Sequence, residues 1–117
     1  MSMNNKIRAA VLPVVSVCVP DLYTGEKTTY CTFQYTELPQ AFSDDAPQAA
    51  VYLVQVHLFA PRGENTLKTR RLLRNALLAA DFTAPQVENA SDSTGQHYIF
   101  ECEYAGGWND GDEHERF

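Results

Sequence analysis

The sequence predicts an α+β fold: a mainly antiparallel sheet of about four strands with two helices packed on one face, in the order α-β-β-α-β-β. Three observations carry this. Between Ala49 and Ala60, residues Tyr52, Val54, Val56 and Leu58 fall on one side of a strand, and Val51, Leu53 and Phe59 fall on the other, with Gln55 and His57 between them. Thr69, Leu72, Leu73, Ala76, Leu77 and Ala80 recur at steps of three and four, the mark of a helix with one apolar stripe. Asp92-Ser93-Thr94-Gly95 then joins two extended stretches as a hairpin-type connection.

The remaining elements follow in order. Ile7, Ala10, Val11 and Val14 lie at helical spacing, so a short helix is expected from Asn5 to about Val15, ended or bent by Pro13. Ser16 to Val19 is apolar and extended, and Pro20-Asp21 begins a turn. Thr24-Gly25-Glu26-Lys27 is a second turn signal. A strand from Thr28 to about Glu37 is rich in Thr, Tyr and Phe, with Cys31, Phe33 and Tyr35 expected toward the core. Leu38 to Gln48 holds two prolines and Asp44-Asp45 and reads as a loop. After the Ala49–Ala60 strand, Pro61-Arg62-Gly63 is a stop, Asn65 or Thr66 can cap the second helix, and Asp81 ends it. Phe82 to Asp92 reads as a weak strand that Pro85 assigns to an edge. Gln96 to Tyr104 is the last strand, with Tyr98, Phe100, Cys102 and Tyr104 inward and His97, Glu101 and Glu103 outward. Residues 1–107 are expected to form a single domain. Residues 108–117, with Asp110, Asp112, Glu113 and Glu115 against Arg116, read as an acidic and flexible tail.

A strand with one wet face alternates apolar and polar residues. The Ala49–Ala60 strand is apolar on both faces, so both need cover. Helices of the same chain can supply one. A neighbouring copy is the simplest source of the other, which makes Val51, Leu53 and Phe59 a candidate subunit interface.

Composition excludes several classes. A chain of 117 residues is long enough to bury a core without metals or disulfides, and six Phe with six Tyr supply the aromatic volume. No window approaches the ~18 apolar residues of a membrane span, and no signal-peptide core is present, so a cytoplasmic product is expected. Cys18, Cys31 and Cys102 are odd in number and widely spaced, and read as buried free thiols. Asn89-Ala90-Ser91 fits a glycosylation triplet, which a cytosolic protein leaves unmodified. The net charge is −6, yet Arg62, Lys68, Arg70, Arg71 and Arg74 make up five of the nine basic residues. Such asymmetry can steer copies of a protein together or simply solvate two surfaces.

Candidate chemistry is sparse. A nucleophilic Cys needs a base such as His57, His97 or His114, and no recognisable elbow or glycine loop brackets any of these. Mid-strand His57 reads as a hydrogen-bonded structural or interface residue. Asp44 and Asp45 lack the further spaced oxygen ligands of a metal site. They read first as turn residues bonding the following amides, and second as partners in a cross-subunit salt bridge. The Arg70, Arg71 and Arg74 helix face is open to three readings: solvated surface, a docking surface for an acidic partner, or a phosphate contact. An enzyme is not expected, and neither a catalytic set, a cofactor nor a metal is assigned.

Several segments in order resemble a known family. Tyr23-Thr24-Gly25, then Tyr30-Cys31-Thr32-Phe33-Gln34-Tyr35, Asp44-Asp45-Ala46-Pro47, Tyr52-Leu53-Val54-Gln55-Val56-His57-Leu58-Phe59, Leu77-Leu78-Ala79-Ala80-Asp81-Phe82 and Tyr98-Ile99-Phe100-Glu101-Cys102-Glu103-Tyr104 are similar to small tail components of long-tailed (siphovirus-type) bacteriophages and prophages. Order and spacing carry the likeness, which covers most of Val14 to Tyr104. The family is similar in size and layout to tail terminator and head–tail joining proteins. The resemblance implies a virion protein at the head-proximal end of the tail, made in the bacterial cytoplasm. It implies a homo-oligomeric ring, expected to be hexameric, that caps the tail tube protein and meets a head completion or connector protein, with DNA in contact only by passage through the ring. The alternatives are another minor tail or head-completion protein, or a cytosolic protein-binding module that takes a partner strand at a sheet edge.

Overall fold

The computed structural model describes residues 2–43 and 46–107, with 41–43 and 46–48 described by backbone alone. Its elements are α1 (Met3–Val11), β1 (Cys18–Pro20), β2 (Tyr30–Ser43), β3 (Ala46–Ala60), α2 (Leu67–Ala79), β4 (Gln86–Asn89) and β5 (Gln96–Gly107). The fold is α+β, with a five-stranded sheet in the order β1-β2-β3-β5-β4. Every neighbouring pair is antiparallel except β1 with β2.

The chain order gains a strand over the expected α-β-β-α-β-β. The apolar stretch near Val17 becomes β1, pairing Cys18 with Cys31 and Pro20 with Phe33. Residues 21–29 then carry the chain back so that β2 runs parallel to it. Gly25 serves this return closely: a Cβ there would meet the Tyr23 ring within 2.2–2.6 Å, and the Tyr23 hydroxyl accepts the Lys27 amide at 3.1 Å.

The expected Leu38–Gln48 loop is instead the outer part of one long β2–β3 hairpin, with register running from Tyr30↔Phe59 to Ser43↔Ala46. Prolines misdirect here because β1 covers β2 only at residues 31–33, and Pro39 lies on the uncovered stretch, where a missing N–H costs no ladder bond to a further strand. A strand of 15 residues spans about 50 Å, so this hairpin sets the 54 Å long axis against cross-sections of 27 and 24 Å. Asp44 and Asp45, named above as turn or interface candidates, lie outside the described residues, as does the 108–117 tail.

Both helices pack on one face. Met3, Ile7 and Val11 of α1 and Leu73 and Leu77 of α2 meet Phe33, Tyr52, Val54, Val56, Leu58 and Phe100 in the core. Each fully buried side chain of this size contributes about 1.5–3 kcal/mol. α1 starts earlier than expected, capped by the Ser2 hydroxyl accepting the Asn5 amide at 3.2 Å, and stops ahead of Pro13. Asn4 accepts the Tyr35 hydroxyl at 2.8 Å, which ties α1 to β2. In α2, Leu73 and Leu77 are buried as expected, whereas Leu72 is 46% exposed. Leu73 and Leu77 form the ridge that enters the core, and Leu72, about 100° round the helix from Leu73, sits on the helix shoulder. Asp81 ends the helix region in the left-handed conformation, φ 73°.

The weak strand shrinks to the four residues of β4 on the sheet edge. At its turn into β5, Asp92 accepts the Thr94 amide at 2.8 Å and hydroxyl at 2.6 Å. Gly95 is required by a close approach: a Cβ would lie 2.9 Å from the Ala60 carbonyl oxygen.

Candidate functional site

The face of the sheet opposite the helices is the candidate site. Alternation and register place its residues in cross-strand rows: Tyr30, Phe59 and His97; Thr32, His57 and Ile99; Gln34, Gln55 and Glu101; Thr36, Leu53 and Glu103; Leu38, Val51 and Ala105. The sequence expectation that β3 is apolar on two faces is met. Tyr52, Val54, Val56 and Leu58 are at most 2% exposed under the helices, while Leu53 is 40% exposed on the open face, with Val51 and Phe59 half-buried beside it.

Three zones divide this face. At one end, rings pack together: Tyr23 of the 21–29 return is tilted against Tyr30 at 4.7 Å, Tyr30 stacks on Phe59 at 4.9 Å, Phe59 on His97 at 4.3 Å and His97 beside His57 at 5.0 Å between centroids. At the far end, Leu38, Leu53 and Val51 form an apolar patch. Between them lies a shallow groove of about 660 Å³, whose floor includes Gln34, Leu53, Gln55, Glu101 and Glu103.

A directed hydrogen-bond chain links the ring zone to the groove. His57 Nδ1 and His97 Nε2 lie 2.8 Å apart, and His57 Nε2 is 3.2 Å from Gln55 Oε1. Gln55 Oε1 can only accept, so His57 Nε2 carries the proton. A neutral His57 then accepts at Nδ1 from His97 Nε2–H. Gln34 Nε2 donates to the same Gln55 oxygen at 3.1 Å, and Gln55 Nε2 donates to Glu101 Oε2 at 3.3 Å. Burial lowers the His57 pKa, reinforced by His97 and opposed by Glu101. Burial lowers that of His97 too, against the pull of Asp92 and Glu88. Both shifts favour the neutral imidazole, and the chain itself requires it of His57, whose Nδ1 must keep a lone pair to accept.

The cysteines stand apart from this. Cys18, Cys31 and Cys102 are free and buried. Cys31 and Cys102 belong to the helix-facing side of their strands, so the sheet itself separates them from His57 and His97. Burial pushes the Cys18 and Cys102 thiols up to about 12 and Cys31 further in the same direction, which disfavours the thiolate that nucleophilic chemistry needs. Among the described residues no group of three or more His, Cys, Asp and Glu is placed to hold a metal ion. No helix among them is long and apolar enough to cross a membrane.

The basic helix residues separate into two kinds. Arg70 is occupied within its own subunit, with its guanidinium 4.3 Å above the Tyr98 ring and Nε donating to Thr66 Oγ1 at 3.1 Å. Arg71 and Arg74 are exposed on the outer side of α2, together with Lys68. Sequence reasoning found the open face through the second apolar side of β3, and found Arg71 and Arg74. It missed the His97–His57–Gln55–Glu101 chain, because two of its three links cross between strands whose register is not encoded locally. It also missed the outward leucines Leu67, Leu72 and Leu78, which are 41%, 46% and 51% exposed.

The sheet edges are uneven: β1 and β4 are three and four residues long, and β2 beyond Phe33 has no outer strand beside it among the described residues, so its edge stays open to a partner strand. In comparisons with known proteins, neither a family model nor a curated protein matches the chain.

Proposed function

We propose that the chain is a non-enzymatic structural subunit of a long phage tail, a tail terminator or head–tail joining protein that assembles with copies of itself into a ring. The observation that carries this is the open sheet face, where Leu38, Val51, Leu53 and Phe59 sit with no element of the same chain packed over them among the described residues. Apolar side chains left open on the face of a small domain, as Leu38, Val51 and Leu53 are at one end of this one, mark an interaction site. A closed ring of identical copies covers such a face on every copy at once. The sequence resemblance to tail terminator and joining proteins supplies the setting: the ring caps the tail tube, faces a head completion or connector protein, and lets DNA pass through its lumen.

Size-exclusion chromatography with light scattering tests the reading, alone and with purified tail tubes of a long-tailed phage. A species several times the subunit mass, or a ring bound to tube ends in negative stain, is expected. A strict monomer at high micromolar concentration that also leaves tail tubes undecorated overturns it.

A further inference from the structure

We propose that neighbouring copies join face to back, with the outer stripe of α2 on one copy lying across the open sheet face of the next. This rests on the ring reading above and specifies which two surfaces meet. The open face carries Glu88, Glu101 and Glu103, all exposed, and its positions on β2, β3, β4 and β5 hold no Lys or Arg. α2 carries the opposite charge: Lys68, Arg71 and Arg74 are exposed, and no Asp or Glu occurs between Leu67 and Ala79. Each surface also offers leucine. Leu67 and Leu78, on the same side of α2 as Arg71 and Arg74, are 41% and 51% exposed, and Leu38 and Leu53 on the sheet are 38% and 40% exposed.

Charge decides between the possible pairings. Open face against open face sets Glu101 and Glu103 of two copies against each other, and helix against helix does the same with Arg71 and Arg74. Both symmetric dimers are repelled, whereas the mixed pairing joins opposite signs and buries leucine on both sides. The two surfaces lie on opposite sides of one subunit, because α2 covers one face of the sheet and leaves the other bare. A contact between different surfaces of identical copies propagates head to tail, and closes into a ring when its rotation allows. The dimensions fit. α2 is about 20 Å long, and four strands spaced about 4.8 Å apart give it a bed of similar width. A helix footprint of roughly 20 by 10 Å is smaller than the ~800 Å² per partner of a free-standing complex. The contact is therefore weak in an isolated pair and is reinforced when a closed ring holds each copy on two sides.

Charge reversal tests this in the full-length chain. The variants are Arg71→Glu with Arg74→Glu, Glu101→Lys with Glu103→Lys, and all four changes together. Light scattering is read at low ionic strength, alone and with tail tubes, with circular dichroism as the control for folding. Each one-sided variant is expected to stay folded and to need about tenfold or more higher concentration to associate, and the fourfold variant is expected to recover association. If either folded one-sided variant associates like the parent chain, or the folded fourfold variant stays dissociated, the face-to-back pairing is overturned while the ring reading survives. A parent chain that never associates, with or without tubes, overturns both.

Discussion

β3 runs through the middle of the sheet with two unlike sides. Toward the helices, Tyr52, Val54, Val56 and Leu58 are closed off from water. One residue over in each case, Val51, Leu53, Gln55, His57 and Phe59 look outward. Strand geometry alone produces the division, because successive side chains point to opposite faces. Folding and association are therefore separable on this strand. The helix side should answer to stability measurements, and the open side to measurements between molecules.

The largest effect belongs to the helix side. Leu58→Ala removes a side chain that is 0% exposed and leaves a cavity among packed neighbours. A loss of about 2–5 kcal/mol is expected in urea denaturation. A loss under about 1 kcal/mol would mean that the helices cover β3 loosely, and would blur the contrast between its faces.

A smaller loss is expected where α1 is fastened to the sheet. Tyr35→Phe deletes the hydroxyl that donates to Asn4 Oδ1 at 2.8 Å, and Asn4 is 6% exposed. An amide oxygen deprived of its donor at that depth costs about 1–3 kcal/mol. The companion change Asn4→Ala in the Tyr35→Phe background should add less than it does alone, which a double-mutant cycle would read as coupling.

The open side carries a pH dependence of definite sign. His57 and His97 have lowered pKa values in the folded chain, so the unfolded chain takes up protons first as pH falls below the ordinary imidazole value of about 6.5. Stability from this pair is complete above that value and is lost as pH drops from it toward the lower folded values. Melting temperature measured from pH 8 to pH 5 should fall more steeply for the parent chain than for a His57→Gln, His97→Gln variant. Parallel curves would mean that the imidazole pair is not held neutral by the fold. The window stops at pH 5 because carboxylates titrate below it.

How legible these faces were follows from the same geometry. Alternation along β3 exposed both of its sides, since period two is a property of neighbouring residues. The long hairpin was hidden by Pro39 and Pro47, which signal a loop unless the strand edge is known to be bare. β1 was missed as a strand because three extended residues carry too little pattern, and its partner Cys31 lies well along the chain. Leu72 was assigned inward because helical spacing gives the direction of a stripe and not its width. Of that stripe, α2 fully buries Leu73 and Leu77. The histidine chain needed the β3–β5 register, a product of the whole fold.

The smallest effect on stability is expected on the open side of β3. Leu53 is flanked along the strand by Tyr52 and Val54, which are 0% and 2% exposed, yet is itself 40% exposed. Leu53→Ser removes a side chain that the isolated subunit covers by somewhat more than half, so its unfolding free energy should fall by about 1 kcal/mol, well short of the loss at Leu58. In an assembly that covers the open face, the same change sets a hydroxyl into an apolar contact and should raise the concentration needed for association by about tenfold. Denaturation and light scattering on the same preparations separate the two quantities. If Leu53→Ser weakens the monomer as Leu58→Ala does, the open face is part of the core. If it changes neither measurement, that face is not where copies meet.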